Sequence, residues 1–278
     1  MNSKNSLVSI IIPAYKSYEN LRNFLDSSFK SEYKNFEIII NDDNRTSDET
    51  PELVNEFRTK GVNIAYIREN HFMAQARKRG SEFAKGDILI HLDSDMKLTE
   101  GLIGECVDLI SRGYDALVIP EESFGTTFWA RCKWLEKKCY ENVEEIESLR
   151  CIKKDSYIKL GGHDTEMIFS EDKDLDIRVK KAGYKVGRTM NFLWHNEGNL
   201  SLIKTIKKKK YYSSTAEIFR TKHQEEFKWQ TNLFNRYFLY LKNIKYFFKF
   251  PLVYAGMLFM KTCEFGFGGL GYFLNKIK

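Results

Sequence analysis

Short apolar runs alternate with helically spaced apolar positions through the first hundred residues. Leu7–Ile12 is a continuous apolar stretch too short for a helix, and it reads as a buried strand of a parallel sheet. Leu21, Phe24, Leu25 and Phe29 then recur at helical spacing over Tyr18–Phe29. Phe36–Ile40 is a second buried strand, ending in NDDNRTSD. Thr50–Lys60 is a helix with Pro51 in its first turn and Gly61 after it. Asn63–Ile67 is a third strand, His71–Lys85 a helix, and Asp87–Leu92 a fourth strand that runs into Asp93-Ser94-Asp95. Strand–helix alternation of this kind predicts an α/β fold, a mainly parallel sheet covered by helices. Residues 120–165 are less regular, and Glu171–Ala182 is a helix closed by Gly183.

In such a sheet, ligands bind beyond the carboxyl ends of the strands. The acidic groups after strands two and four therefore share one rim. Asp93 and Asp95 suit a hard divalent cation, Mg2+ or Mn2+, which would neutralise a diphosphate leaving group. Alone, D-x-D fits a solvated loop as well; its place after a buried strand decides for the cation. Asp42 and Asp43 suit a nucleobase N–H or, equally, turn chemistry, one residue for each role. Glu171 and Asp172 open a helix, where the macrodipole favours acids, and either can serve as a general base. Asp174 and Asp176 read as solvated or paired with Arg178. His195, after an apolar run, can complete a metal ligand set.

In this order and spacing the segments resemble the family 2 glycosyltransferases, with their GT-A (Rossmann-like) fold, over roughly residues 7–223. VSIIIPAYK is similar to the opening strand, and NDDNRTSDET to the acidic turn, with Asn44 where glycine is usual. NHFMAQARKRGSEFAKGDILIHLDSD is similar to the donor-side helix, strand and D-x-D, although Phe72 and Lys78 depart from the pattern. GGHDTEMIFSEDKDLDIRVKKAGYKVG resembles the acceptor-side segment, and WHNEG carries the later histidine. The resemblance implies that Pro13 and Tyr15 border the nucleotide base, that Asp42 or Asp43 contacts it, and that Arg77 faces the diphosphate. It implies that Asp93, Ser94 and Asp95 bind ribose and metal, that His195 binds metal, and that Asp172 is the base of an inverting transfer. The segments IPEESFGTTFWARCKWLEKKCY and KKKKYYSSTAEIFRTKH are similar to an archaeal and bacterial subgroup of lipid-linked or surface-polysaccharide assembly. Glu121 and Glu122 then fall toward the acceptor side or in a solvated loop.

Charge changes the picture for the last part of the chain. Residues 201–278 hold 15 Lys/Arg against 4 Asp/Glu, whereas the rest holds 29 against 34. A basic tail on an acidic body implies an anionic partner. Lys207 and Lys208, with Tyr211 and Tyr212 beside them, suit phosphates of lipid or of nucleic acid. The aromatic and lysine-rich stretch 233–250 decides for lipid, since it has the composition of a helix lying in a membrane interface, and nucleic acid is not expected. Residues 250–274 carry only the charges Lys261 and Glu264, which at i,i+3 can pair on a helix, while Gly266, Gly268, Gly269 and Gly271 weaken a straight helix there. The apolar runs on either side fall short of the about 20 residues a span needs. A monotopic helix or shallow hairpin is therefore expected, with a single span and a buried core helix as alternatives. Five cysteines without a C-x-x-C pair argue against disulfides and structural zinc. No small-residue cleavage site precedes Pro13 and Tyr15, so no signal peptide is expected.

These readings predict a transferase domain over 1–223, divided near 97 into nucleotide-sugar and acceptor halves, and a membrane-associated appendage over 224–278. The expected activity is inverting, metal-dependent transfer of a hexosyl or N-acetylhexosaminyl group. The donor is a UDP-, GDP- or dTDP-sugar, and the acceptor a lipid-linked saccharide on the cytoplasmic face of the cell membrane. A polyprenyl-phosphate acceptor is the alternative. A nucleotidyltransferase, which would release pyrophosphate, and a catalytically dead scaffold are the rivals; the intact acidic and histidine set argues against the scaffold.

Overall fold

The computed structural model describes residues 5–43, 45, 48–168 and 170–276, apart from the side chains of residues 214, 275 and 276. Asn44, expected in the acidic turn, lies outside the described residues. The chain forms two compact units. The first comprises Met1–Glu121, Ser148–Thr165 and Glu171–His195, and the second Glu122–Glu147, Glu166–Ser170 and Asn196–Lys278. Stretches 122–147 and 196–223 group with the C-terminal helices.

The first unit opens with β1 (Val8–Ala14), α1 (Tyr18–Phe29), β2 (Phe36–Asp43), α2 (Thr50–Thr59), β3 (Ile64–Glu69), α3 (Met73–Phe83) and β4 (Ile88–His91). There follow β5 (Met96–Leu98), α4 (Leu102–Ser111) and β6 (Ala116–Val118), then β7 (Glu121–Phe124), where the chain enters the second unit with α5 (Phe128–Tyr140). It returns through β8 (Leu149–Lys153), α6 (Lys154–Lys159), α7 (Glu171–Lys181), β9 (Val186–Arg188) and β10 (Leu193–Asn196). The main sheet has the order β3-β2-β1-β4-β8-β6-β9. The first four strands are parallel, and β8 runs antiparallel to both β4 and β6. Among the small strands, β10 pairs antiparallel with β5.

The apolar runs form strands because the sheet is covered on both faces. Val8, Ile10 and Ile12 of β1 point into one core with Ile38 and Ile40, and Ile11 and Ile39 into the other. Small residues let α3 lie close to the sheet. A Cβ on Gly80 would stand 2.6 Å from the Ile11 methyl, so a larger side chain there would push the helix outward. Strand β2 runs further than its apolar residues: Asp42 and Asp43 belong to it, in register with Arg68 and Glu69. Both close the strand, and Asp43 also leads into the turn that follows it.

The second unit is helical. After α5 it contains α8 (Leu202–Ser214), α9 (Glu217–Lys222), α10 (Gln224–Thr231), α11 (Leu233–Lys242), α12 (Lys245–Lys249) and α13 (Pro251–Lys276). The expected interfacial helix over 233–250 is thus two helices. The glycine-rich end is one continuous helix; Gly256 and Gly271 are close-approach positions, whereas Gly266 and Gly269 face open space. A Cβ on Gly256 would meet the Phe128 ring at 2.5 Å, and one on Gly271 the Lys210 carbonyl oxygen at 2.5 Å. Val253, Tyr254, Met257 and Met260 of α13 pack with Cys132 and Leu135 of α5 in a core of their own. Lys261 and Glu264 pair as their spacing predicts, but both are buried. Lys261 also reaches Glu136 at 2.7 Å, and Lys133 holds the other Glu136 oxygen at 2.8 Å. Among the described residues no helix is long and apolar enough to cross a membrane. Part of α13 is therefore the core helix that was the alternative reading.

Candidate active site

The parallel register places the ends of β1, β2 and β4 along one rim, with Ala14 opposite Asp42 and Ile11 opposite His91. On this rim the structure builds a charge cluster around two arginines. Arg77, carried inward by α3, is almost fully buried. Its guanidinium contacts Asp93 just after β4, Glu171 at 2.5 Å and Asp172 at 2.8 Å. Arg150 of β8 lies 2.6 Å from Glu121, 3.3 Å from Asp93 and 4.0 Å from Asp172. The predicted Arg77, Asp93, Glu171 and Asp172 are thus brought together across 95 residues of sequence.

The two acids at the start of α7 have opposite proton affinities. Burial alone would raise Asp172, but Arg77, His163 and Arg150 outweigh it and hold its carboxyl well below the ordinary range. Glu171 is pushed up by burial and by the neighbouring Asp172 charge, against the pull of Arg77. Asp172 is therefore the ionised member of the pair, and its side chain is twice as open to solvent as that of Glu171, 26% against 13%. Asp174 and Asp176 on the same helix are buried rather than solvated: Asp174 is paired with Arg178, and Asp176 with Lys173 and Lys180.

His195 of β10 sits beside Asp95. Its Nδ1 is 2.9 Å from the Glu121 carboxylate, and its Nε2 is 3.5 Å from Asp95. A carboxylate on one imidazole nitrogen fixes the ring and leaves the other nitrogen for a metal. Among the described residues no three acidic, imidazole or thiol groups converge into a ready-made cage. Mg2+ and Mn2+ suit a site of this kind, since such ions take few protein carboxylates and complete their shell with phosphate oxygens and water. The Asp93, Asp95 and His195 donor set fits the expected cation on that chemistry.

Donor-side residues occupy the other end of the rim. Pro13 is buried at the end of β1, and Tyr15 beyond it is exposed. Asp43 accepts the Arg45 backbone N–H at 2.9 Å and its guanidinium, which is turn chemistry. Asp42 accepts the Tyr66 hydroxyl at 2.6 Å, and burial raises its carboxyl despite that bond. Of the two roles expected of the pair, turn chemistry thus falls to Asp43. Phe72, the departure at the start of α3, is half-exposed, with the Arg45 guanidinium 5.4 Å from its ring centre. Ser94 is partly exposed between the two aspartates.

Glu121 and Glu122 part company. Glu121 joins the arginine–histidine cluster, whereas Glu122 is held within the second unit by Trp134, at 2.7 Å, and by Lys138. Lys207, Lys208, Tyr211 and Tyr212 lie on α8 of the second unit, with both lysines and Tyr211 exposed. Arg150 and His163 escaped the sequence reading. Arg150 left one signal, a charged residue inside the short strand LRCIK.

The sequence profile of Glycosyl transferase family 2 matches residues 9–170, more than half of the chain and all of the rim except α7 and β10. The chain belongs to that family. It is 32% identical over 112 residues to the amylovoran biosynthesis glycosyltransferase AmsB of Erwinia amylovora, covering 39% of this chain and 37% of that one. It is 40% identical over 91 residues to WfaP of Escherichia coli, described as a UDP-Glc:alpha-D-GlcNAc-diphosphoundecaprenol beta-1,3-glucosyltransferase, covering 32% and 35%. The aligned part thus spans little more than a third of these relatives. A mannosyltransferase of Pyrobaculum calidifontis, solved with GDP-Man and Mn2+, superposes with a TM-score of 0.70 over 97% of this chain and 87% of that one, at 13% identity. S. aureus TarS residues 1–349 with UDP-GlcNAc gives 0.55 over 74% and 65%, at 15% identity. The fold is GT-A, mixed α/β with a mainly parallel sheet.

Proposed function

We propose that this glycosyltransferase moves a sugar, with inversion, from a nucleotide-diphospho-sugar to a lipid-linked saccharide at a membrane surface. The observation that carries the reading is the open, ionised Asp172 beside Arg77 on the rim where the strands end. A sugar hydroxyl is a poor nucleophile, and a carboxylate within reach of its proton removes it as the bond to the anomeric carbon forms. Arg77 and Arg150 supply positive charge for a diphosphate, Tyr15 a face for the base, and Asp42 an acceptor for a base N–H. A divalent cation held by Asp93, Asp95 and His195 would neutralise the leaving nucleoside diphosphate.

The membrane reading rests on the second unit. Phe234, Phe238 and Leu241 of α11, Phe248 of α12, and Leu252 and Phe259 of α13 are all exposed. Lys242, Lys245 and Lys249 are interleaved with them, and Lys207 and Lys208 are exposed on α8. Apolar side chains among lysines suit monotopic attachment to an anionic leaflet, the cytoplasmic face of the cell membrane. The named substrate of WfaP supports a lipid-linked saccharide as acceptor. A relative described as an undecaprenyl-phosphate 4-deoxy-4-formamido-L-arabinose transferase, 27% identical over 130 residues, favours polyprenyl phosphate as the second reading. The deciding experiment is a screen of UDP-, GDP- and dTDP-sugars with Mn2+ or Mg2+, first for hydrolysis and then for transfer to vesicle-borne acceptors. Release of a nucleoside diphosphate supports the reading. Release of pyrophosphate, or no turnover with any donor, overturns it.

A further inference from the structure

His163 stands directly behind Asp172. Two glycines bring it there. Gly161 and Gly162 take left-handed backbone angles, φ +77° and +70°, after α6. A Cβ on Gly162 would lie 2.9 Å from the Tyr157 ring. The bare turn therefore lets the His163 backbone N–H donate to the Tyr157 hydroxyl oxygen at 3.2 Å. Arg178 of α7 fastens the turn by donating to the Leu160 and Gly162 carbonyls at 2.8 and 2.7 Å. The imidazole that results is 1% exposed, with Nδ1 2.9 Å from the Tyr157 hydroxyl and Nε2 3.4 Å from the Asp172 carboxylate.

The hydrogen-bond accounting leaves one arrangement. An ionised carboxylate can only accept, so the Nε2 facing Asp172 must carry a proton. Burial lowers the proton affinity of His163 despite Asp172, so the ring is neutral and Nδ1 is an acceptor. The Tyr157 oxygen already accepts the backbone N–H, and Ser81 beside it can give its own proton to the Arg77 carbonyl at 2.8 Å, so the single Tyr157 proton can turn to Nδ1.

We propose that His163 is a positioning residue for the base: a neutral imidazole, its tautomer fixed by Tyr157, that holds Asp172 toward the acceptor hydroxyl. The proposal rests on Asp172 being the base. His163 is buried behind Asp172, so its loss should fall on turnover and spare donor binding.

The test uses the full chain and the variants His163→Phe, His163→Gln, Tyr157→Phe and Asp172→Asn. Donor affinity is measured with UDP, GDP and dTDP, and turnover with UDP-glucose, UDP-N-acetylglucosamine and GDP-mannose. His163→Phe keeps the ring shape and should lower kcat about tenfold with donor KM and nucleotide affinity unchanged. It should also move the acid limb of the kcat profile to higher pH, because Asp172 loses a donor while Arg77, Arg150 and the less acidic Glu171 remain around it. His163→Gln places an amide N–H near the Nε2 position and should restore most of the rate. Tyr157→Phe should give a smaller loss of the same kind. Histidine NMR on the full chain needs no donor and should show His163 neutral and protonated on Nε2 at neutral pH. An Nδ1–H tautomer, an imidazolium, or a kcat and acid limb that His163→Phe leaves unmoved overturns the proposal. So does a loss that glutamine fails to restore. An Asp172→Asn enzyme of normal rate overturns the base reading and this proposal together; an inactive one beside an unaffected His163→Phe overturns this proposal alone.

Discussion

Nδ1 of His195 lies 2.9 Å from the Glu121 carboxylate, and the same carboxyl group reaches Arg150 at 2.6 Å. Glu121 thus ties the candidate metal ligand to the guanidinium that faces Asp93 and Asp172. Glu121→Gln should weaken Mn2+ activation about ten- to a hundredfold with little change in the melting temperature. Metal titrations of turnover, with calorimetry of Mn2+ binding beside them, give the answer. Unchanged metal affinity would mean that Glu121 does not orient His195.

Asp172 and Glu171 should separate in mutagenesis. Asp172→Asn is expected to bind donor normally and to lose transfer by about a hundred- to ten-thousandfold. Glu171→Gln, which neutralises the more basic and less open acid, should cost less than Asp172→Asn. Rates for the two variants with one vesicle-borne acceptor check this. Transfer that survives Asp172→Asn points to a phosphate acceptor, which is already ionised and needs no base.

Removing Lys261 should be costly. Glu136 would keep Lys133 at 2.8 Å, but Glu264 would lose its Lys261 ion pair, and breaking a buried pair costs about 3–5 kcal/mol. Lys261→Met should therefore melt well below the wild type at neutral pH. The pH dependence has a definite sign. Burial opposes the charge on Glu136, but Lys133 and Lys261 hold its carboxyl far below the ordinary 4.5. Lys261 is raised above the ordinary 10.5, Glu136 and Glu264 outweighing burial. The cluster's contribution is thus complete between those two values. It is lost as pH falls below 4.5 and as it rises beyond 10.5. Acid should narrow the gap between variant and wild type, since protonation relieves the stranded carboxylates. Melting curves from pH 3 to 8 would contradict the assignment if the gap stayed constant.

Phe234, Phe238 and Leu241 should carry membrane attachment. Changing all three to serine is expected to abolish flotation with anionic vesicles at high salt while nucleotide affinity stays normal. Lys207→Glu with Lys208→Glu should weaken flotation chiefly at low salt, each charge contributing about 1 kcal/mol. A serine variant that floats as the wild type does would exclude the apolar face of α11 as the attachment.

The nucleotide half was readable because its signals are local. Continuous isoleucine runs, helical spacing after each, and acids at strand ends all lie within a few residues of one another. The second unit was not, because its partners are far apart in sequence. In α5 the motif FWARCKWLEKKCY mixes lysines with aromatics, and only α13, more than a hundred residues later, shows which face is buried. The α13 glycines looked like breaks until Phe128 and Lys210 were seen against them. The burial of Lys261 with Glu136 and Glu264, and Lys133 beside them, was not readable either, since a neutral cluster of this kind leaves no mark in composition. In the site, Asp93, Asp95 and Asp172 belong to recognisable motifs, whereas Arg150 and His163 are single residues whose meaning lies in what the fold sets beside them.

The core shared by α5 and α13 makes the end of the chain part of the fold of the second unit. A cut before residue 251 would not trim a dispensable tail. It would strip Val253, Tyr254, Met257 and Met260 from α5, leave Cys132 and Leu135 bare, and leave Glu136 with Lys133 alone. If the second unit attaches to a membrane as proposed, the same cut would remove attachment and stability together.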